Sequence, residues 1–580
     1  MKKNDTIELT ITDMGVGGEG IGRANGYAFF VKDAVPGDKV RAVVTKMNKG
    51  YGFAKTLEVL EPSLDRAEPP CPNALRCGGC QIMQLKYAAQ LKVKENKVRN
   101  DLIRIGGIEA PPMKPIIGME GDCPLHFRNK VQFPVDRDCD GNIVTGFYAG
   151  RTHYIVGAEE CPVSAYPADE VLGLIRDFLS DNGIEPYDEN TGEGLVRHVL
   201  IRSAAGTGQV MVCLVINGET LPLGCAEKLI SRLKDHVPGV CSICLNINKK
   251  NTNVIMGERT VCLYGTEYIE EKIGDLTFRI SPLSFFQVNS AQTVKLYEKA
   301  LEYAALMGGE TVWDLYCGTG TISLFLAQRA GKVCGVEIIR SAIDNANENA
   351  SLNGIENAEF FCGKSEEIFP EYYKNGAGTA GDGPDVVVLD PPRKGCDIKL
   401  LNAILETAPK RIVYVSCNSA TLARDIKILS EKYSLDEVTP VDMFPHTVHV
   451  ETVVLLSHKD PDSHIHVKVE FGEGKGKVPL DKIAERAEKY KPKEKVTYKK
   501  IKEYIEDKFG FKVHTAYIAE VKRAYGLPMY DAPNAVEELK QPRKHPTEEK
   551  VKAISDALVH FGLIDKKLAS AFEIAHLSAV

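Results

Sequence analysis

The run Arg411-Ile412-Val413-Tyr414-Val415-Ser416-Cys417-Asn418 places a thiol at the carboxyl end of an apolar strand. A thiolate there can add to an electron-poor carbon. A pyrimidine C5 is too weak a nucleophile to take a one-carbon unit until a nucleophile has added at C6 and made C5 enolate-like. Cys417 is the candidate nucleophile. The proton left on C5 must then be removed, which needs a positioned general base. Glu451, in His446-Thr447-Val448-His449-Val450-Glu451-Thr452, precedes the last strand and is the preferred base. His446 and His449 stay open as alternatives, because imidazole titrates near neutrality.

Thr311-Val312-Trp313-Asp314-Leu315-Tyr316-Cys317-Gly318-Thr319-Gly320 runs from a buried strand through a glycine turn into a helix over 322–328. The glycines let backbone approach a ligand closely. Glu337 ends the next strand 19 residues beyond Gly318, close to the roughly 20-residue offset at which an acidic side chain meets a ribose. A full G-x-G-x-x-G is missing, so a nucleoside without a pyrophosphate fits better than a dinucleotide. S-adenosylmethionine is the expected cofactor, with Tyr316 on the adenosyl side. Val386-Val387-Val388-Leu389-Asp390-Pro391-Pro392-Arg393 brings a carboxylate into a loop stiffened by two prolines. Such Asp-Pro-Pro loops occur in several methyltransferases and do not identify the acceptor.

Cys71, Cys77 and Cys80 form C-x5-C-G-G-C after a proline-rich break, and Cys161, followed by Pro162, is the candidate fourth ligand. Four thiolates suit a structural zinc or a [4Fe–4S] cluster. Three clustered ligands with one distant, in place of two paired knuckles, tilt the choice toward iron–sulfur. Cys241 and Cys244 lie in an apolar strand-like run without a partner pair and read as core.

These residues need a large scaffold, and 580 residues supply one. About three to five domains are expected at that length. With 44% hydrophobic and 26% charged residues the composition is that of an ordinary soluble protein. No apolar run approaches the ~20 residues of a membrane span, and no signal-peptide core follows Met1-Lys2-Lys3. A cytoplasmic location without membrane contact is expected, and in that reducing compartment the 16 cysteines read as ligands, nucleophiles or core thiols. The net charge of -7 gives no global pull toward nucleic acid, so an RNA site must be a local patch.

The fold expected is multidomain α/β. Short β-rich runs at 7–11, 27–31, 39–44 and 54–60, separated by glycine-rich turns around Gly15-Val16-Gly17-Gly18, suit an amino-terminal OB-type β-barrel over 1–61. A central α+β domain carrying the cysteines follows over 62–284. Short apolar strands alternating with helices indicate a Rossmann-like, doubly wound methyltransferase domain over 285–458, whose ligands bind at the carboxyl ends of the strands. Residues 459–580 form a small helical accessory module. From 461 onward it carries 23 Lys+Arg and 19 Asp+Glu, a net of +4. A helix over 496–505, a turn at Phe509-Gly510-Phe511 and a helix over 515–523 resemble a helix-turn-helix, although a charged helical face is also an ordinary solvated surface.

The segment from Asp13 to Arg23, with Ala34-Val35-Pro36-Gly37-Asp38 after it, resembles a TRAM domain, an RNA-binding barrel. Taken in order with the cysteines, Ser284-Phe285-Phe286-Gln287-Val288-Asn289, Asp314 to Gly318, Asp390 to Arg393, Ser416-Cys417-Asn418 and His449-Val450-Glu451, residues 1 to about 458 resemble the RNA uracil-C5 methyltransferase family, in particular its iron–sulfur 23S ribosomal RNA branch. The resemblance implies that Gln287, Tyr316, Glu337 and Asp390 contact S-adenosylmethionine, that Cys417 is the nucleophile and Glu451 the base, and that the substrate is 23S ribosomal RNA. It names no protein partner. Transfer RNA is the alternative substrate. A nonenzymatic RNA-binding iron–sulfur sensor is a rival class, opposed by the intact Cys417 and Glu451. Two positions depart from the family pattern: Ser419 stands where proline often follows Ser-Cys-Asn, and Thr321 stands where some members have asparagine.

Overall fold

The first strand, β1 (Thr6–Met14), alternates exposed and buried residues so that Ile7, Leu9 and Ile11 point inward. That period of two closes a barrel with β2 (Gly20–Ala24), β3 (Tyr27–Lys32), β4 (Lys39–Met47) and β5 (Tyr51–Glu61), in the order β1-β2-β3-β5-β4. β2 is not among the runs expected from sequence, because glycine hides it. A Cβ on Gly22 would lie 2.5 Å from the Thr10 carbonyl oxygen, and one on Gly20 2.7 Å from Ile11. Glycine here allows strands to press together rather than marking a turn.

The computed structural model describes residues 1–150, 152–374, 383–459, 498–525, 546–561 and 563–564. It divides into two compact units, Met1–Asp462 and Ser463–Val580. After the barrel, the cysteine loop leads into α1 (Tyr87–Arg104). β6 (Lys130–Arg137), β7 (Ile143–Tyr148), β8 (Ile155–Gly157), α2 (Ala168–Asp181), β9 (Val196–Ser203), β10 (Val210–Ile216), α3 (Cys225–His236), β11 (Val240–Ile247) and β12 (Arg259–Gly265) then build a seven-stranded sheet. Cys244 is buried within it, and Cys241 is half-buried. A hairpin, β13 (Ile269–Ile273) and β14 (Leu276–Ile280), joins this sheet to the next.

The next sheet uses α4 (Ser290–Ala304), β15 (Thr311–Asp314), α5 (Thr321–Ala327), β16 (Lys332–Glu337), α6 (Arg340–Leu352), β17 (Ala358–Cys362), α7 (Ser365–Lys374), β18 (Val386–Leu389), α8 (Ile398–Thr407), β19 (Arg411–Ser416), α9 (Ser419–Leu429), β20 (Tyr433–Val441) and β21 (Glu451–His458). Its strand order is β17-β16-β15-β18-β19-β21-β20. β15 to β19 pair in parallel, while β21 is antiparallel to both its neighbours. β18 shows why a continuous apolar run is required. Val386 and Val388 enter one core with Val413 and Val453, and Val387 and Leu389 enter the core on the other face with Ile412 and Tyr414. Each such side chain contributes about 1.5–3 kcal/mol on burial, and a charge at Val387 would forfeit it.

α1 lies early in the chain, yet Val98 and Leu102 pack with Leu422 and Ala423 of α9. In the second unit, α10 (Tyr498–Phe509), α11 (Thr515–Ala524) and α12 (Glu548–His560) surround Ile501, Ile505, Ile518, Ile554 and Leu558. Gly510, at φ 73°, ends α10 with its N–H on the Glu506 carbonyl. The expected helix start at 496–497 lies outside the described residues. Among the described residues no helix is long and apolar enough to cross a membrane.

Candidate active site

The strand order reverses between β15 and β18, and the carboxyl ends there form the crevice in which doubly wound sheets bind ligands. Asp314 ends β15, accepting from Ser323 Oγ at 2.6 Å and from the Tyr316 N–H at 3.3 Å. Burial pushes its carboxyl up to about 6. Gly318 and Gly320, at φ 54° and 82°, turn the chain from β15 into α5. The space where a Gly318 Cβ would stand is open. Glu337 ends β16, and its carboxylate accepts from the Ile339 N–H at 2.9 Å. Ile338 and Ile339 beside it are more than half exposed, an apolar surface of the kind a purine ring covers. The Tyr316 hydroxyl is turned toward Cys396, and burial raises it well above the usual phenol range.

Asp390 follows β18. Burial, then the nearby Asp314, pushes its carboxyl up to about 7, and no side-chain hydrogen bond to it is found among the described residues. Gln287 is buried just before α4, with its carbonyl accepting from Asn129 Nδ2 at 3.0 Å. Open backbone at Gly318, the Glu337 and Asp390 carboxylates on either side of β15 and exposed aliphatic surface fit the ribose, amino group and purine of S-adenosylmethionine. The donor chemistry therefore agrees with the cofactor expected.

Cys417 and Glu451 meet through strand pairing. Ser416 of β19 is opposite Thr452 of β21, so the residue leaving β19 and the residue entering β21 are neighbours. Burial, then Glu451 and Asp390, push the Cys417 thiol up to about 11, while the Arg393 guanidinium pulls it down. Burial, then Asp390, push the Glu451 carboxyl up to about 8, again opposed by Arg393. Arg393 is therefore the cation shared by both groups. It stands in the Asp-Pro-Pro-Arg motif, but sequence reasoning gave it no role. Behind them the Tyr297 hydroxyl is hydrogen-bonded to Thr321 Oγ1 at 2.8 Å, so the threonine departure ties α4 to α5.

The two histidines separate. His446 is buried, at φ 66°. Its Nε2 is 2.8 Å from the Pro124 carbonyl oxygen and its Nδ1 is 3.2 Å from Gln90 Nε2. A carbonyl only accepts, so Nε2 carries the proton and donates, while Nδ1 accepts. Both nitrogens are thereby occupied, which removes His446 as a base. His449 keeps an exposed edge, and partial desolvation of the rest of its ring, followed by Arg393, Lys94 and Lys97, holds it below the usual histidine range. The loop from Asp442 to Val450 is clamped by α1. Lys94 is fully buried and donates to Asp442 Oδ1 at 2.5 Å and to the Phe444 carbonyl at 2.8 Å. The Ile82 N–H from the cysteine loop reaches the His446 carbonyl at 3.0 Å.

Cys71, Cys77, Cys80 and Cys161 line one cavity of about 400 Å³, together with Arg128, Phe285, Phe286 and Phe444. Burial pushes the Cys80 thiol up to about 12, helped by Cys161, Cys77 and Cys71 and opposed by Arg128. As placed, no group of three His, Cys, Asp or Glu among the described residues could hold a metal ion, so the four cysteines share a cavity without forming a ready ligand set.

The sequence matches two family models, one described as tRNA (Uracil-5-)-methyltransferase over residues 248–459 and one as TRAM domain over residues 2–57. An uncharacterized RNA methyltransferase of Clostridium acetobutylicum is 49% identical over 463 residues, 79% of this chain and 98% of the relative. Another, of Halalkalibacterium halodurans, is 46% identical over 79% of this chain and 98% of its own length. Among solved structures, the Pyrococcus abyssi tRNA (uracil-54, C5)-methyltransferase in complex with S-adenosyl-L-homocysteine is similar with a TM-score of 0.62 and 28% identity. That match covers 78% of this chain and all of the other.

Proposed function

The chain belongs to the RNA uracil-C5 methyltransferase family with an amino-terminal TRAM domain, and on that premise we propose that it methylates uracil C5 in 23S ribosomal RNA through a covalent cysteine adduct. The observation that carries the chemistry is the pairing of β19 with β21, which brings Cys417 beside Glu451 at the edge where Asp390 and Glu337 end their strands.

Gln287, Tyr316, Glu337 and Asp390 are the residues that would hold S-adenosylmethionine, which when bound would supply the methyl group at this edge, its sulfur–methyl bond breaking to leave the neutral thioether. Cys417 must first lose its proton, which Arg393 favours by stabilising the thiolate. The thiolate adds to uracil C6, and the C5–C6 electron pair becomes available at C5 to form the new carbon–carbon bond. Glu451 then takes the C5 proton. The electrons of the C5–H bond restore the C5–C6 double bond, the C6–S bond breaks, and the thiolate returns. A uracil inside a duplex cannot reach Cys417, so the base is extruded or single-stranded when it reacts. Cys71, Cys77, Cys80 and Cys161 are the residues that would hold a [4Fe–4S] cluster, and such a cluster would cross-link the loop before α1 to the segment around Cys161.

The ribosomal assignment is supported by the cysteine set and the barrel only through the family resemblance. A transfer-RNA substrate is the second reading, favoured by the solved neighbour named for uracil 54 of tRNA. Labelled S-adenosylmethionine is to be incubated with unmodified ribosomal RNA and, separately, transfer RNA, and the product located by nuclease digestion and mass spectrometry. Label at uracil C5 of 23S ribosomal RNA that is lost in Cys417→Ala, with cofactor binding kept, is the expected result. Undiminished transfer by Cys417→Ala overturns the mechanism, and label confined to transfer RNA overturns the substrate. Iron and sulfide in anaerobically purified protein, lost in Cys161→Ser, test the cluster.

A further inference from the structure

Ser419 is the first residue of α9 and stands two positions after Cys417. It is fully buried, where a hydroxyl needs partners. It donates to Asp101 Oδ2 at 2.5 Å and accepts from Lys97 Nζ at 2.7 Å, and Lys97 and Asp101 close the triangle at 3.3 Å. Lys97 and Asp101 are one turn apart on α1, the helix that follows the cysteine loop. The same Cys417 loop is held separately to the Asp-Pro-Pro-Arg loop, where Asn418 Nδ2 and Thr421 Oγ1 each donate to the Arg393 carbonyl at 3.2 Å. Two elements far apart in sequence thus hold the short loop that carries the thiol.

Proline at this position would stiffen the loop by a local route. It presets φ at the first helical position and gives up only an N–H that a helix start leaves without an intrahelical partner. Asn418, at φ −140° and ψ 99°, is already extended rather than helical, within about 20° in ψ of the region a following proline favours. Proline has no hydroxyl, however, and could not reach Asp101 or Lys97. Serine replaces local stiffness with a tertiary tie.

We propose that Ser419, Asp101 and Lys97 are positioning residues that hold the Cys417 loop to α1, so that the placement of the nucleophile depends on the seat of the helix behind the cysteine loop. The inference rests on the assignment of Cys417 as nucleophile. It is tested on the full-length protein with Ser419→Ala, Asp101→Asn and Ser419→Pro. For each, kcat and KM for RNA, affinity for S-adenosylmethionine and the rate of Cys417 alkylation by iodoacetamide are measured. The alkylated peptides are read by mass spectrometry, with the exposed Cys362 as internal reference.

Ser419→Ala is expected to lower kcat on the order of tenfold, as loss of near-attack placement does, while KM and cofactor affinity stay near wild type. Cys417 should alkylate severalfold faster relative to Cys362. Asp101→Asn should move both readouts in the same direction by less, and it carries the test if Ser419→Ala does not fold. Ser419→Pro should recover most of the kcat lost in the alanine variant. Wild-type kcat and alkylation in Ser419→Ala overturn the proposal, as does a fall in kcat with Cys417 alkylation unchanged. If Cys417→Ala itself proves active, the nucleophile assignment has failed, whereas the alkylation rates still report whether the triangle holds the loop.

Discussion

Glu451 is held at about 8 by burial, far above an ordinary glutamate at about 4.3. Between those two values the folded protein keeps a proton that the unfolded chain releases, so the glutamate weakens the fold progressively as pH rises through that window. Glu451→Gln should therefore make the cofactor-free protein more stable than wild type at pH 8.5, by at least about 1 kcal/mol, with the difference gone near pH 4. Denaturation midpoints at the two pH values check this. The same variant should accumulate a denaturant-stable protein–RNA adduct, because glutamine cannot take the C5 proton. Arg393 lowers both reacting groups, so Arg393→Gln should move the acid limb of the kcat/KM profile upward by about one pH unit. The placement of Cys417, Glu451 and the strand-end carboxylates was legible in sequence because each follows or opens an apolar run. Arg393 and Ser419 were visible as letters without roles, since their partners lie on loops and helices remote in the chain. His446 was a reasonable base by type, and only its two ring contacts remove it.

At the scale of elements, α1 does more than its position in the chain suggests. The run from Tyr87 to Arg104, with Lys92, Lys94 and Lys97, shows no apolar stripe that announces a core helix. Yet Lys94 is buried against Asp442, and Val98 and Leu102 enter the core beside α9. A buried lysine has no signature in sequence until its acidic partner is located. Breaking a buried pair leaves an uncompensated charge, so Lys94→Met should destabilise the protein by about 3 kcal/mol. The double variant Lys94→Met with Asp442→Asn should lose less, because the remaining partner is neutral and its Oδ1 can still accept from the Phe444 N–H. A double-mutant cycle on denaturant midpoints measures the coupling. The strands were legible wherever both faces are covered, as at β18. β2 was missed because its glycines serve close strand approach and carry no alternation.

The whole molecule is a catalytic unit followed by a helical one, and the relatives match 79% of this chain while being covered over 98% of their own length. A protein ending at residue 459 should keep cofactor binding and methyl transfer within about threefold, since every residue placed at the site lies within the first unit; a labelled transfer assay on the shortened chain decides. The charge contrast between the two units was legible from composition, but the three-helix core of the second was not, because α12 lies beyond any motif that pointed to it. One feature of topology also governs when the protein acquires activity. β21 is the last strand of the first unit and inserts between β19 and β20, so the thiol and its base cannot become neighbours until residue 458 has been synthesised and has cleared the exit tunnel. At roughly 5–20 residues per second, the barrel and central sheet have many seconds to fold first. A nascent chain would therefore become a catalyst only after synthesis has moved past the first unit and its last strand has left the tunnel.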